Sequence, residues 1–262
     1  MRTSTVVRIA ALLVLLTSCD VAFRLDRSNV SEGTDARSDG PSTDDCPNAA
    51  GHDEDKDGVD DVCDNCPSIS NADQLDSLEV AQGLAADGVG DACDPAPTEP
   101  GDQILLFQSL QSIVGFRTAG SVNFSSDSVQ VGGDFAFLAS NANFVPTRVE
   151  AAISFLNPTV GGQAVQLSAD SGGFRCVIET SPCPATASVG CLTASAPVAG
   201  TTAFPDAGTF TRVTMSVSGS DLVCDAGVVA MAPGAFTMGQ VAIYTQSATT
   251  LVDVQDIVVY GR

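Results

Sequence analysis

An acidic run at residues 53–64 constrains this chain more than any other sequence feature. Gly58 stands at position 6 of the run, where a glycine permits a sharp turn. Carboxylates at positions 1, 3, 5, 9 and 12 repel one another unless a cation neutralises them. Carboxylate and carbonyl oxygens are hard ligands that favour calcium, so the spacing predicts a calcium-binding loop. The five carboxylates belong to Asp53, Asp55, Asp57, Asp61 and Asp64.

Each ligand position of this loop has an expected role. The first three aspartates supply the opening carboxylates, and Val59 offers its backbone carbonyl. Asp61 acts directly or through a water molecule, and Asp64 closes the loop. The alternative is a disordered acidic tail, but such a tail would not keep this spacing together with a glycine at position 6.

A cysteine-containing pattern surrounds the loop, with Asp-Asn-Cys-Pro at residues 64–67, Asn-x-Asp-Gln at 71–74 and Gly-Asp-x-Cys-Asp at 90–94. Over about 50 residues, this pattern resembles the thrombospondin type 3 repeat. The cysteines and the Asn-Cys-Pro sequence separate it from an EF-hand or a dockerin, whose loops flank helices. The resemblance implies calcium binding and disulfides between neighbouring cysteines, Cys46 with Cys63 and Cys66 with Cys93. The matching segments are residues 45–48, 64–67, 71–74 and 87–94.

The second loop of the repeat departs from the family pattern. Gly83 and Ala85 stand where the family has aspartates, and residues 77–86 separate Asp76 from Asp87. Whether this loop binds calcium stays open at the sequence level. Apolar residues in the inserted run predict a short helical turn that covers the repeat. The candidate ligands are Asp87, Asp91 and Asp94, with help from Asp73 or Asp76.

The N-terminus has the pattern of an export signal. Arg2 and Arg8 precede an apolar run, residues 9–16, that is far shorter than the ~20 residues of a membrane-spanning helix. Residues 16–19 read Leu-Thr-Ser-Cys and resemble the lipobox of bacterial lipoproteins. The resemblance implies a signal peptide over residues 1–18 and a lipid anchor on Cys19, the alternative being an ordinary cleaved signal. We therefore expect an exported lipoprotein, anchored in the membrane of the bacterial cell envelope and displayed on its outer surface.

Composition separates the remaining segments. Residues 19–43 are rich in Ser, Asp and Gly and predict a disordered tether. Residues 44–98 form the calcium-binding repeat, and a proline-rich linker leads to the rest of the chain, residues 101–262. The net charge of −21 excludes nucleic acid as a partner, because phosphate backbones require clustered basic residues. Of the 32 acidic residues, 15 lie within residues 44–94, where Lys56 is the only basic residue.

Eight cysteines remain after the lipidated one, and an even count in an exported chain predicts a disulfide framework. They divide into four in the repeat and four in the following domain. In the second group we favour a bridge from Cys176 to Cys224 and another from Cys183 to Cys191, although four cysteines allow two other pairings.

Residues 101–262 predict an all-β domain. Residues 149–155 and 213–217 alternate between apolar and polar side chains, as strands with one wet face do. About ten strands in ~160 residues favour a β-sandwich or jelly roll, preceded by the irregular disulfide-bonded repeat. Phe135, Phe137 and Phe155 are expected in its core. The other predicted strands are residues 104–108, 121–124, 135–139, 164–168, 174–179, 222–224, 241–245 and 251–260.

The last strands, residues 238–245 and 254–261, resemble those of concanavalin A-like and laminin G-like jelly rolls. The resemblance implies a lectin-like domain that binds a glycan or a surface protein, in an adhesive or structural role. We expect no enzyme, because Glu150 and Glu179 are the only glutamates of this domain and lie in separate strands, and the single histidine lies in the repeat. The alternatives are an atypical glycan-active enzyme and a purely architectural envelope protein.

Overall fold

The computed structural model describes residue 46 and residues 51–156, 163–169, 175–180, 186–192, 197–203, 208–227 and 229–262. The predicted signal peptide, Cys19 and the tether lie outside these residues, as do Cys183 and the side chain of Cys191. Within the described residues, no helix is long and apolar enough to cross a membrane.

The described residues are mainly β, as predicted. Among the described residues, one short helix, α1 (Leu78–Ala81), is present, and it lies where the inserted run predicts a helical turn. The strands are β1 (Gln103–Gln108), β2 (Phe116–Phe124), β3 (Val129–Ser140), β4 (Pro146–Phe155), β5 (Ala164–Ser168), β6 (Arg175–Thr180), β7 (Thr186–Leu192), β8 (Pro197–Ala203), β9 (Thr211–Ser218), β10 (Asp221–Asp225), β11 (Val229–Pro233), β12 (Ala242–Thr245) and β13 (Leu251–Gly261).

All ten predicted strands are present, and the sequence pattern misses β7, β8 and β11. These three strands contain mostly small residues, so they lack the alternation of large apolar and polar side chains on which the prediction depends. The strand order begins at β11 and ends at β8. Pro233 and Pro197 lie in these edge strands, where a residue without an N–H is tolerated.

The strands form one antiparallel sheet that folds over on itself into two layers. The first layer contains β1, β13, β4, β9, β10 and β11, and the second contains β2, β3, β12, β5, β6, β7 and β8. The layers are continuous where the start of β13 pairs with the start of β3, Val252 opposite Val131. Buried side chains of both layers form one hydrophobic cluster, so the sheet is a β-sandwich.

Glycines form the bend at which β2 and β3 turn from one layer into the other. Gly120 and Gly133 have φ of +83° and +97°, a conformation that favours glycine. A Cβ at Gly120 would also lie 2.7 Å from Ala136 Cα. Phe135 has a φ of 54° in the same bend, and its side chain is 73% exposed. The prediction of Phe135 as a core residue is therefore wrong, because the bend turns Ala136 inward in its place.

The rest of the core agrees with the alternation in the sequence. Val149, Ala151, Ile153 and Phe155 of β4 all lie in the cluster between the layers. Phe137 does not, because it points to the outer side of β3, where its ring lies 5.8 Å from that of Tyr244. The prediction of Phe137 as a core residue is also wrong.

The acidic repeat packs onto the outer side of the first layer. Val258 and Tyr260 point away from the sandwich core and form a second buried cluster with Cys66, Val89 and Cys93 of the repeat. Polar contacts accompany this apolar one. Gln255 Nε2 donates to Glu54 Oε2 at 2.8 Å, and Arg148 donates to the Cys93 carbonyl at 3.2 Å. The repeat, which precedes the β domain in the chain, therefore also covers one face of its sheet.

Charged residues are buried on the sheet face beneath the repeat. Arg212 donates to both carboxylate oxygens of Asp256 at 2.8 and 2.9 Å and lies 3.6 Å from Glu150 Oε2. Glu150 is 0% exposed and also forms an ion pair with Arg148. Burial raises the pKa of Glu150 above its ordinary value, although both arginines act in the opposite direction. These ion pairs satisfy charges that the covering repeat removes from water.

Two disulfides staple the repeat, Cys46–Cys63 and Cys66–Cys93, in the pairing that the family resemblance implies. The bridge favoured between Cys176 and Cys224 is wrong. Cys176 is a buried free thiol, and Cys224 is disulfide-bonded, so the two do not form a bridge with each other. Cys176 lies on β6, and its side chain is part of the sandwich core. The spacing of the cysteines in the sequence does not indicate that this one is buried.

Candidate metal centre

The first acidic loop folds into the turn that its spacing predicts. Gly58 has a φ of +97°. Its N–H donates to Asp53 Oδ2 at 3.0 Å, and the Asp57 N–H donates to Asp55 Oδ1 at 3.1 Å. Val59 is buried and donates its N–H to Asp57 Oδ1 at 2.8 Å. Backbone N–H groups thus hold the aspartates in place along the loop.

Three of the predicted ligands converge. Carboxylate oxygens of Asp53, Asp55 and Asp57 lie within 4.8 Å of one another. Asp55 Oδ2 and Asp64 Oδ2 are buried and have no hydrogen-bond partner among the described residues. Buried anionic oxygens without a partner are unfavourable unless a cation binds them. The residues of this loop therefore fit a calcium ion, whose ligands are oxygens of this type.

The electrostatics of the loop agree with this fit. Burial, followed by the charges of Asp57 and Asp64, raises the pKa of Asp55 to about 7. Burial also raises the pKa of Asp64, against the effect of its hydrogen bonds. In the folded loop, these carboxylates are therefore harder to ionise than in water, and a bound cation would remove that penalty.

Gln74, which was not predicted as functional, bonds the closing aspartate, and two asparagines complete its hydrogen-bond network. Gln74 Nε2 donates to Asp64 Oδ1 at 2.7 Å, and Gln74 Oε1 accepts the Asn65 N–H at 2.9 Å. Asn71 Nδ2 donates to Asn65 Oδ1 at 2.7 Å. The Asn-x-Asp-Gln segment of the family pattern therefore positions Asp64. This motif was visible in the sequence, but the sequence alone did not indicate what its amide side chains do.

Asp61 lies apart from the converging carboxylates. Its Oδ1 accepts the Glu54 N–H at 3.0 Å, and its Oδ2 lies 2.5 Å from His52 Nδ1. Burial of His52 disfavours its charge, but the hydrogen bond to Asp61 and the nearby Glu54 give it a raised pKa. Asp61 thus holds the start of the loop, and its role as a ligand, directly or through water, stays a prediction.

The predicted ligands of the second loop separate into two groups. Asp87 and Asp94 lie close together, whereas Asp91 turns toward the start of α1. Asp91 accepts hydrogen bonds from the N–H groups of Ser77 and Leu78 at 2.9 and 3.1 Å. Burial acts to raise the pKa of Asp91, but these bonds together outweigh it and lower that pKa below its ordinary value. Asp91 therefore has the same bracing role in the second loop that Asp61 has in the first.

The outer side of the second layer carries a stripe of aromatic and arginine side chains. Phe137 and Tyr244 are half-buried neighbours on β3 and β12. The Arg117 guanidinium lies 5.7 Å from the Phe137 ring centroid, and the Arg175 guanidinium lies 5.4 Å from that of Tyr244. Gln166 on β5 accepts a hydrogen bond from Arg175 at 2.8 Å, and its Nε2 is buried without a partner among the described residues. We call these five residues the aromatic–arginine stripe.

A polar cleft of about 800 Å³ lies on the first layer. One wall is the segment that leads from the repeat into β1, with Glu99 and Asp102. The other includes Thr214 and Ser216 of β9. Arg262 also lines the cleft, and its guanidinium donates to both carboxylate oxygens of Asp102 at 3.0 Å.

The sequence matches no family model and no curated protein. Solved structures that resemble it include a β-glucanase of Bacillus licheniformis, at a TM-score of 0.48 and 8% identity over 60% of this chain and 98% of that one. The carbohydrate-binding module CBM66 of Bacillus subtilis gives 0.40 and 16%, over 54% of this chain and 94% of that one. The exoplasmic/lumenal domain of VIP36, in its Ca²⁺/Man3GlcNAc-bound form, gives 0.44 and 12%, over 58% and 86%. The β-sandwich assignment rests on the strand order and the shared core described above.

Proposed function

We propose that this chain is a calcium-binding surface lipoprotein whose repeat binds calcium in the loop 53–64. The observation that carries the proposal is the pair of buried, unpartnered oxygens, Asp55 Oδ2 and Asp64 Oδ2, in a loop where three aspartates converge. Calcium is the ion that fits an all-oxygen loop of this spacing.

Calcium binding would strengthen the attachment of the repeat to the sandwich. Glu54 belongs to the loop and accepts a hydrogen bond from Gln255 of β13. A calcium ion that orders the loop would therefore hold Glu54 in position for this bond. An ion that binds only the folded loop stabilises the folded chain by about 2.7 kcal/mol at a concentration 100 times its Kd. Chelation should therefore lower the unfolding midpoint of the full chain.

Titration calorimetry of the oxidised full chain with calcium tests this function. Asp55→Asn keeps the size of the side chain but removes a predicted ligand charge, so binding at this loop should weaken at least tenfold. Asp134→Asn is the matched control, because Asp134 is exposed in the β domain. Equal calcium binding by the wild type and Asp55→Asn would refute the assignment of the first loop.

Export and anchoring depend on the N-terminal pattern. The Leu-Thr-Ser-Cys sequence supports lipid attachment at Cys19, and two or more acyl chains hold a protein on a membrane far better than one. Cys19→Ala should leave the protein unprocessed or soluble, as measured by membrane fractionation and lipid labelling. Normal lipid labelling of this variant would contradict the anchor.

We further propose that the β-sandwich binds a glycan or a surface protein through the aromatic–arginine stripe. Half-buried rings and arginines can stack against a ligand while their polar neighbours donate and accept hydrogen bonds. The buried Gln166 Nε2 without a partner is the specific observation that favours a ligand over a purely architectural role.

A glycan array with the full chain, followed by calorimetry on any hit, tests the stripe. Tyr244→Ala should reduce the affinity at least tenfold. Thr214→Val is the control, because Thr214 lies in the polar cleft of the other layer. A ligand whose affinity falls with Thr214→Val and not with Tyr244→Ala would move the binding site to that cleft.

We propose binding without catalysis. Glu150, one of the two glutamates after Gly101, is 0% exposed and enclosed by Arg148 and Arg212, which supports a structural role for its carboxylate. Glycoside hydrolysis requires an accessible pair of carboxylates. Release of reducing sugar from polysaccharides by the full chain would overturn this proposal in favour of an enzyme.

A further inference from the structure

The helix α1 is oriented opposite to an ordinary surface helix. Its only acidic residue, Glu79, is 0% exposed, whereas Leu78 and Val80 are 41% and 55% exposed. A helix on a protein surface normally buries its apolar residues and exposes its charged ones. Something other than the hydrophobic effect must therefore favour the inward position of the Glu79 carboxylate.

Glu79 points into a group of carboxylates, several of whose oxygens are buried without a hydrogen-bond partner among the described residues. Glu79 Oε1 and Oε2 are both buried without a hydrogen-bond partner among the described residues, as are Asp76 Oδ1 and Asp94 Oδ2. Oxygens of Asp76, Glu79 and Asp87 lie within 4.8 Å of one another, and an oxygen of Asp94 also lies within 4.8 Å of one of Asp87. A fully buried carboxylate with two unpartnered oxygens is unfavourable unless a cation lies between it and its neighbours.

The second loop repeats the hydrogen bonds of the first despite its different sequence. The Gly88 N–H donates to Asp76 Oδ2 at 2.8 Å, as the Gly58 N–H donates to Asp53 Oδ2 at 3.0 Å. These partners are 12 residues apart in the second loop and 5 apart in the first, so the insertion lies between equivalent positions. Asp76 therefore takes the place of Asp53.

The end of the second loop repeats the first in the same way. Asp94 Oδ1 accepts the Ala96 N–H at 2.6 Å, as Asp64 Oδ1 accepts the Cys66 N–H at 2.7 Å. The Val89 N–H donates to Asp87 Oδ1 at 3.0 Å, which gives Asp87 the position of Asp57. The position of Asp55 is then the one without an aspartate, and α1 brings Glu79 to it.

We propose that Asp76, Glu79, Asp87 and Asp94 bind a second calcium ion, with Glu79 of the inserted helix as a ligand. This inference rests on the calcium-binding function proposed for the first loop and extends it. Asp76 and the inserted Glu79 together replace the two missing aspartates of the loop, so the insertion does not abolish the site. Asp102 also lies close to Asp87 and Asp94, but its two oxygens accept hydrogen bonds from Arg262, so it holds the site from outside.

Calcium titration of the oxidised full chain and of three variants tests the second site. The wild type should bind two ions. Glu79→Gln should bind one ion, as should Asp55→Asn, and the double variant should bind none. Glu99→Gln is the matched control, because it removes a neighbouring glutamate whose side chain is 68% exposed and paired with Arg262. It should bind two ions.

The unfolding midpoint gives a readout that does not depend on counting ions. Without calcium, Glu79→Gln should unfold no earlier than the wild type, because the variant removes an unpartnered buried charge. With calcium, its midpoint should rise by less than that of the wild type. A misfolded variant would instead unfold earlier without calcium, and Glu79→Asp would then serve as the second test, with binding weakened at least tenfold and one ion retained.

The outcomes separate this inference from the function on which it rests. One ion in the wild type, lost in Asp55→Asn and kept in Glu79→Gln, would overturn the second site and leave the first loop in place. No calcium binding by the wild type would overturn both. Loss of an ion in Glu99→Gln would attribute the effect to general charge instead of to ligation by Glu79, and would also overturn the second site.

Discussion

Tyr260→Ala is the most direct test of the contact between the repeat and the sandwich. Tyr260 is 0% exposed and packs against Cys66, Val89 and Cys93, and the Arg148 guanidinium lies 5.5 Å from its ring centroid. Truncation of a large buried aromatic side chain to alanine costs about 3–5 kcal/mol, because it leaves a cavity. Loss of the cation–π contact adds about 0.5–1 kcal/mol. The free energy of unfolding should therefore fall by about 4–6 kcal/mol.

Urea unfolding of the oxidised full chain, in saturating calcium, measures this change. The matched control is Tyr244→Ala, because Tyr244 is the other tyrosine of the chain and lies half-buried on the outer side of the second layer. Its loss removes one aromatic pair and should cost about 1–2 kcal/mol. The rate at which a reductant cleaves Cys66–Cys93 is a second measurement. It should rise in Tyr260→Ala alone, because only that variant uncovers the buried disulfide.

Two results would refute this reasoning. Equal losses of stability in the two variants, within about 0.5 kcal/mol, would mean that Tyr260 contributes no more than a half-buried ring. An unchanged rate of disulfide reduction in Tyr260→Ala would mean that the repeat does not depend on the sheet for its protection. If Tyr260→Ala does not fold, Tyr260→Leu should still show a loss of about 2 kcal/mol, because it fills part of the cavity.

Three further predictions concern residues outside the calcium ligands. Cys176 should react with an alkylating reagent only after unfolding, because its thiol is buried and burial raises the pKa of that thiol. Mass spectrometry that finds Cys176 alkylated in the native protein would contradict its position in the core. Glu150→Gln should lower the free energy of unfolding by about 3 kcal/mol in urea titrations, since it leaves Arg148 and Arg212 without their shared partner; a change under about 1 kcal/mol would count against the buried ion pairs. Gly90→Ala should lose about 1–3 kcal/mol in the same assay, because its Cβ would lie 2.8 Å from Cys66 Sγ, and wild-type stability would show that the repeat has room there.

The sequence predicted the features that depend on neighbouring residues. The turn at Gly58 and the order of carboxylates in the first loop involve short stretches of chain, whose local backbone conformation favours them. The pairing of the disulfides in the repeat was implied by the resemblance to the family. Strands with alternating side chains, such as β4, were predicted for the same reason, since alternation places one face toward the core wherever the strand lies.

Features that the sequence misjudged depend on partners far along the chain. The alternation of apolar and polar residues around Phe135 does not indicate the bend that exposes this side chain. The sequence likewise does not indicate that the repeat packs on the β domain and covers Tyr260. The carboxylates around Glu79 belong to residues that lie on both sides of it in the chain, Asp76 before it and Asp87 after it.

The sequence alone thus determined a mainly β chain with an acidic, disulfide-bonded loop that suits calcium. Only the tertiary structure decided that the repeat lies on the sheet and that α1 turns Glu79 inward while its leucine and valine face water. The physical reason is that burial is a property of surfaces brought together by the whole chain. A periodic pattern identifies which side of a segment is apolar, but the side that becomes buried depends on what lies opposite. Here it is a group of aspartates, and Asp76 and Asp94 each have one buried oxygen without a partner among the described residues.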